Sequence, residues 1–275
     1  MYKRTIIVGD VHGCIDELLA LLRLVDPTKE DSIVFVGDLI HRGPDSVGVV
    51  KQVRQMQEWT NVVYVMCNHE EKHNRWRRNI AKGIDRMKNV EEYPFIERGL
   101  SDEDVAFMES AVLFHMLPDY GSIVLHGGVL PGTVLPKPEE IILLSGKKRK
   151  ELMRILRIRD VNPDEESMIK LGEVTDEDVF WTSLYDGRYG HIYFGHHPFI
   201  GAQTPTEHRA YVGRPIGPVG ERVESTPHSV ATGMDLGCVF GGRLAAVILE
   251  PGREPPSMVV TVKARKTYSQ QWKEE

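Results

Sequence analysis

No stretch of this 275-residue chain approaches the ~18–20 consecutive apolar residues that a membrane span requires. Only four apolar-rich positions precede Gly9-Asp10, too few for the core of a secretory signal. Cysteine is scarce. Cys14, Cys67 and Cys238 are an odd, scattered set without a Cys-x-x-Cys pair, which argues against a disulfide framework and for reduced thiols in a cytoplasmic protein. Positive charge is not in excess either: a net charge of −6 speaks against stable binding to nucleic acid or anionic membranes. Internal repeats, low-complexity segments and interdomain linkers are missing, so residues 1–275 read as one domain, with 251–275 as a terminal strand and tail. The length is enough to bury a full core with two helix-plus-sheet layers.

What is present is a repeated local pattern. Strand-like runs at 5–8, 33–36, 62–66 and 192–194 end in Gly9-Asp10-Val11-His12-Gly13, Gly37-Asp38, Asn68-His69-Glu70 and Gly195-His196. A fifth run, 123–125, ends at His126. Strands of one sheet that all finish in Asp, His or Asn converge their tips, which is how a polynuclear metal centre is assembled.

The first half alternates strand and helix. Ile15, Leu18, Leu19 and Leu22 recur at helical spacing behind Asp16 and Glu17. Pro44-Asp45-Ser46 opens a helix to about Gln57 with Val47, Val50 and Val53 inward. A polar helix is expected from Glu70 to about Lys88, then an irregular insertion with a short helix near 102–109. Beyond a loop at 131–138 the pattern predicts a basic helix over 147–158, then short strands at 229–234, 245–249 and 258–263 with Gly- and Pro-rich breaks such as 213–220. The economical architecture is α/β, two sheets face to face with helices outside.

Asp10 and His12, two apart, share a face at an extended strand end and can reach one metal. Asp38 has two carboxylate oxygens and can bridge two cations ~3.5–4 Å apart. Asn68 offers an amide oxygen, and His126 and His196 offer imidazole nitrogens. Mixed O/N donors without thiolate suit two divalent transition-metal ions, manganese first, with iron, zinc or cobalt also suited. Two such ions bring four positive charges against two from Asp10 and Asp38, leaving an excess that phosphate and hydroxide can fill. A metal-bound water near pKa ~7 then supplies a nucleophile. His69, next to Asn68, is expected to protonate or stabilise the leaving oxygen. Arg42 can grip phosphate oxygens with its planar fork, and Arg188 is the candidate for a second such arginine.

The ordinary alternatives sort the other residues. His73, His115, His191, His208 and His228 read as packed or solvent-exposed histidines, His197 as a supporting residue, and Asp235 as a hydrogen-bonding neighbour of the site. Cys67 reads as core packing, since a thiol nucleophile is redundant beside metal hydroxide. The basic runs at 72–88 and 147–159 read as solvated helix faces that would also attract a polyanion. A binding module without activity would be expected to have lost a ligand or His69, and none is missing.

Taken together, GDVHG (9–13), GDLIHRGPDS (37–46), CNHE (67–70), HGG (126–128), GHH (195–197) and MDLGCVFGGRLAAV (234–247) resemble the calcineurin-like metallophosphoesterases, in the phosphoprotein-phosphatase superfamily near its symmetrical diadenosine tetraphosphatase branch. The resemblance spans 5–249. It implies a four-layer α/β/β/α fold, a mixed β-sandwich flanked by helices. It also assigns Asp10, His12 and Asp38 to one metal and Asp38, Asn68, His126 and His196 to the other. His41 departs from the protein-phosphatase pattern, which has an aspartate before the Arg-Gly to orient the catalytic histidine. Expelling a serine alkoxide needs strong general-acid help, worth ~10²–10⁴-fold, whereas a nucleotide phosphate leaves as a stable anion. The expected substrate is therefore a dinucleoside polyphosphate, with a serine/threonine phosphoprotein as the alternative.

Overall fold

The computed structural model describes residues 2–170, 172–203, 205, 209–211, 214–217, 229–253 and 258–270. His208, His228 and half of the 213–220 stretch lie outside them. The chain opens with β1 (Thr5–Val8), α1 (Ile15–Val25), β2 (Ser32–Phe35), α2 (Ser46–Met56), β3 (Asn61–Tyr64) and α3 (Asn68–Ile80). Then come α4 (Tyr93–Gly99), α5 (Asp102–Glu109), β4 (Phe114–Leu117), β5 (Ser122–Leu125), α6 (Pro138–Ile141) and α7 (Gly146–Leu152). Short strands follow: β6 (Asp160–Asn162), β7 (Ser167–Met168), β8 (Val179–Phe180), β9 (His191–Phe194), β10 (Arg209–Tyr211) and β11 (Arg214–Gly217). Finally β12 (Ser229–Gly233), β13 (Arg243–Leu249) and β14 (Met258–Lys263) close the sheets.

One sheet has the order β14-β13-β1-β2-β3, the other β11-β10-β12-β9-β5-β4, and both mix parallel with antiparallel pairs. The burial of β1 shows why the strand runs are apolar on both faces. Ile7 packs with Val34, Val247, Val124 and Tyr193 between the sheets. Its neighbours Ile6 and Val8 face Leu18, Leu21, Val50 and Val53 of α1 and α2. On the far side of the second sheet, Ile123, Leu125 and Phe194 pack on Leu152, Leu156 and Trp181. The fold is thus the expected α/β sandwich, with turns and the small sheet β7-β6-β8 covering much of the outer face beside the short α7. Among the described residues no helix is long and apolar enough to cross a membrane.

Three local expectations change. The helix expected to Lys88 ends at Ile80, and an additional helix, α4, fills part of the insertion. The helix expected over 147–158 stops at Leu152, where a tighter turn takes over. The Ile155 carbonyl there accepts the N–H groups of Gly127 and Gly128 at 2.9 and 3.1 Å, which turns the chain into the protein beside His126. Val47 is only partly buried, while Val49 and Met56 join Val50 and Val53 inside.

Candidate metal centre

β1, β2 and β3 run parallel in one sheet, and β5, β9 and β12 run parallel in the other, so the loops after them gather at a common edge. Two of these loops are hydrogen-bonded together: Val11 and His12 donate to the Asp38 carbonyl at 3.1 and 2.7 Å, and Gly13 donates to that of Leu39. His12, Asp38, His41, Arg42 and His196 all have positive φ, between 45° and 72°. Such left-handed residues cost ~1–3 kcal/mol each and concentrate where the surrounding structure holds side chains for a purpose. The Ser46 hydroxyl accepts the His41 N–H at 2.8 Å, and Asp10 Oδ2 accepts that of His196 at 2.9 Å.

Asp10, His12, Asp38, Asn68, His126 and His196 are brought together. His12 Nε2 lies 3.1 Å from Asp38 Oδ2, and His126 Nε2 lies 3.6 Å from Asp38 Oδ1 and 3.1 Å from Asn68 Oδ1. The second nitrogens are anchored by backbone carbonyls, His12 Nδ1 by Ile40 at 3.1 Å and His126 Nδ1 by Val36 at 2.9 Å. This is the usual means of fixing a ligating imidazole.

The donor set fits divalent cations. Asp10 Oδ1 and Asp38 Oδ1 are buried without a hydrogen-bond partner among the described residues. Burial first, then the charges of Asp235 and Asp38, push Asp10 well above the usual carboxylate range. Burial likewise pushes His126 down to about 4 and His196 well below the ordinary histidine range, leaving the neutral imidazoles that metals bind. Asp235 accepts the Gly237 N–H at 2.8 Å, and the His197 ring packs on Phe180 and Phe199.

Gly37 is the tightest joint of this arrangement. Its φ is +111°, and a Cβ there would lie 2.7 Å from the Cys67 Cβ and 2.9 Å from His126 Nδ1. Gly37→Ala is expected to cost ~2–4 kcal/mol, as strain and overpacking together, and to lower metal affinity by moving His126. Denaturant midpoints and metal titration check both. Cys67 caps α3: its sulfur accepts the N–H groups of His69 and Glu70 and faces the Glu70 carboxylate. Glu70 in turn accepts the Leu39 N–H at 2.8 Å, bracing the loop that carries Asp38.

Beside the ligands, His69 is buried, and one of its ring nitrogens lies within 4.8 Å of donor atoms of His12 and Asp38. Arg42 stacks over Phe240 with its backbone N–H on Glu92. Arg188 is not brought here. It is paired with Asp186 at 2.6 Å on a separate small pocket with Leu130, Pro131 and Tyr189. Its sequence distance from His196 translated into a turn pointing away. Arg159 and Arg157, hidden in the basic run at 147–159, line a cleft with the candidate ligands Asn68 and His196 instead. Arg159 donates to the His196 carbonyl at 2.7 Å, and its buried Nε has no hydrogen-bond partner among the described residues. The cleft, ≈ 460 Å³, is bordered by Asn68, His69 and His196 and by Lys72, Arg75, Arg157, Arg159 and Lys170, with Asp160 as its carboxylate.

His73 is packed, as read, but its link to His41 was not foreseen. It is fully buried and joined to His41, which was read as a gap in the protein-phosphatase pattern. The signal was the spacing of four between His69 and His73, which puts both on one face of α3.

Comparison with known proteins agrees with this geometry. A bis(5'-nucleosyl)-tetraphosphatase PrpE (asymmetrical) of Bacillus velezensis is 27% identical over 95% of this chain and 93% of its own length. A symmetrical bis(5'-nucleosyl)-tetraphosphatase of Cronobacter sakazakii is 34% identical, over 48% of this chain and 45% of its own. A solved structure named as a candidate diadenosine tetraphosphatase superimposes with a TM-score of 0.63 at 22% identity, covering 96% of this chain and 95% of that one. A yeast protein serine/threonine phosphatase shares the fold with a TM-score of 0.54 at 17% identity, over 95% of this chain and 79% of that one. The profile of the calcineurin-like phosphoesterases matches residues 3–216, and the chain belongs to that family of divalent-metal hydrolases.

Proposed function

We propose that the protein hydrolyses phosphoanhydride bonds of dinucleoside polyphosphates. Asp10, His12 and Asp38 would hold one divalent ion and Asp38, Asn68, His126 and His196 a second, with manganese the best match to the donors and iron, zinc or cobalt also suited. Bound there, the ions supply Lewis acidity toward a phosphoryl oxygen and a nucleophile at neutral pH. Arg42 and Arg159 orient the phosphoryl group with charge-assisted hydrogen bonds, and His69 serves the leaving oxygen.

The observation that carries the substrate class is the cleft. A monoester needs cations only at the reacting phosphoryl, but here Lys72, Arg75 and Lys170 continue the positive lining beyond Arg157 and Arg159. That extension suits several linked phosphates. The names of the tetraphosphatase relatives support the same class.

The test compares kcat/KM of the metal-reconstituted protein on diadenosine tetraphosphate, a phosphoserine peptide, a capped RNA and an aryl phosphate. The dinucleotide is expected to lead; a phosphopeptide in first place would move the reading to a protein phosphatase. The cleft is tested by the double variant Lys72→Ala, Arg75→Ala. It is expected to raise KM for diadenosine tetraphosphate ~3–10-fold, about 0.7–1.4 kcal/mol, while the aryl phosphate changes less than ~2-fold. Equal losses on both would remove the extended cleft from the account.

A further inference from the structure

From His69 a continuous line of buried rings leads away from the metal ligands. His69 Nδ1 lies 3.0 Å from His41 Nδ1, His41 Nε2 lies 3.1 Å from His73 Nδ1, and His73 Nε2 lies 3.1 Å from Glu97 Oε2. Arg77 closes the line with two bonds to Glu97, from Nε at 2.8 Å and Nη2 at 3.1 Å. Two helices supply the parts. His69, His73 and Arg77 recur every fourth residue along α3, and Tyr93 and Glu97 stand four apart on α4. Tyr93 stacks on both intermediate rings, at 4.4 Å from His41 and 4.7 Å from His73.

We propose that His41, His73 and Glu97 are positioning residues that fix the orientation and tautomer of His69. The proposal rests on His69 acting at the leaving oxygen, as argued above. The direction of the relay follows from counting protons. Glu97, gripped by Arg77, is an acceptor only, so His73 Nε2 carries a proton. A neutral His73 then has a bare Nδ1, which must accept from His41 Nε2–H. The bare Nδ1 of His41 accepts in its turn from His69 Nδ1–H. His69 is left with its ring held by Nδ1–H toward His41 and with Nε2 toward substrate, where a proton borne on Nε2 is the one given to the leaving oxygen.

Neutral intermediate rings are what the site favours. Burial, then the neighbouring imidazoles His69 and His73, drive His41 well below the ordinary histidine range. Burial also lowers His73, against the pull of Glu97. Burial works against the Glu97 carboxylate, but the hydrogen bonds from His73 and Arg77 outweigh it and hold it at about 2. His41 therefore does not leave His69 without an acidic partner. It moves that partner two imidazoles outward.

The experiment reads tautomers directly, by long-range proton–nitrogen correlation on zinc-loaded protein with labelled histidines. The wild type is expected to show His69 protonated at Nδ1, with His41 and His73 protonated at Nε2 and bare at Nδ1. In Glu97→Gln the terminal amide can donate as well as accept, so the direction is no longer imposed. His69 is expected to become a mixture of tautomers, and kcat for an alkyl phosphate to fall ~10–100-fold with KM within ~2-fold, the scale of losing an outer hydrogen-bond partner. Glu97→Asp should restore part of both. A wild-type His69 bare at Nδ1 overturns the relay whatever the variants do, and so does a Glu97→Gln protein unchanged in spectrum and kcat. The spectrum needs no substrate, so a failed relay and a failed substrate assignment are read from different measurements.

Discussion

Replacing Asp38 with Asn is expected to lower kcat at least ~10³-fold, about 4 kcal/mol of transition-state stabilisation, and to reduce metal content at both positions together. Asp38 is buried between the two halves of the ligand set. One oxygen lies 3.1 Å from His12 Nε2, and the other, 3.6 Å from His126 Nε2, has no hydrogen-bond partner among the described residues. An amide of the same shape offers one oxygen and no charge, so it cannot serve two cations. Asp10→Asn and His196→Gln, each assigned to a single ion, should leave the other position occupied. Metal analysis of the three variants separates shared from single ligation. An Asp38→Asn protein that keeps both ions would remove the bridging role.

His69→Asn is expected to act on chemistry and not on metal. Its loss should lower kcat ~10²–10⁴-fold for alkyl phosphates with poor leaving groups, and by about tenfold or less for a nitrophenyl phosphate. Metal content should be unchanged. Asparagine keeps a hydrogen-bond donor toward His41, so the fold is spared while the imidazole at the leaving oxygen is gone. A leaving-group series measured on wild type and variant gives the result as a change in slope. Parallel lines would make His69 a residue that positions substrate.

The loops that carry the proposed ligands were legible because each is announced by the strand before it. Asp10, Asp38, Asn68, His126 and His196 follow apolar runs, and the parallel pairing of those runs converts sequence position into a shared edge. The fold class was legible for the same reason. Residues whose place depends on docking between distant segments were not. Arg159 belongs to a basic run that reads as one solvated helix, and it is tertiary hydrogen bonds, from Gly127 and Gly128 to the Ile155 carbonyl, from Trp181 to the Arg159 carbonyl and from Arg159 to the His196 carbonyl, that hold the run at the cleft. Arg188 is near His196 in sequence, but its short ion pair with Asp186 commits it to another surface. Glu97 sits in an insertion with no strong periodicity, and nothing local says that α4 lies along α3. His73 carried half a signal, its spacing from His69. The other half, a carboxylate 24 residues on, is tertiary.

The claim on which the rest depends is that six side chains from two sheets hold two ions, and it is tested most directly by anomalous difference maps of crystals grown with manganese. Two peaks are expected, one among Asp10, His12 and Asp38, the other among Asp38, Asn68, His126 and His196. A single peak, or ions held elsewhere with these side chains uncoordinated, would contradict it.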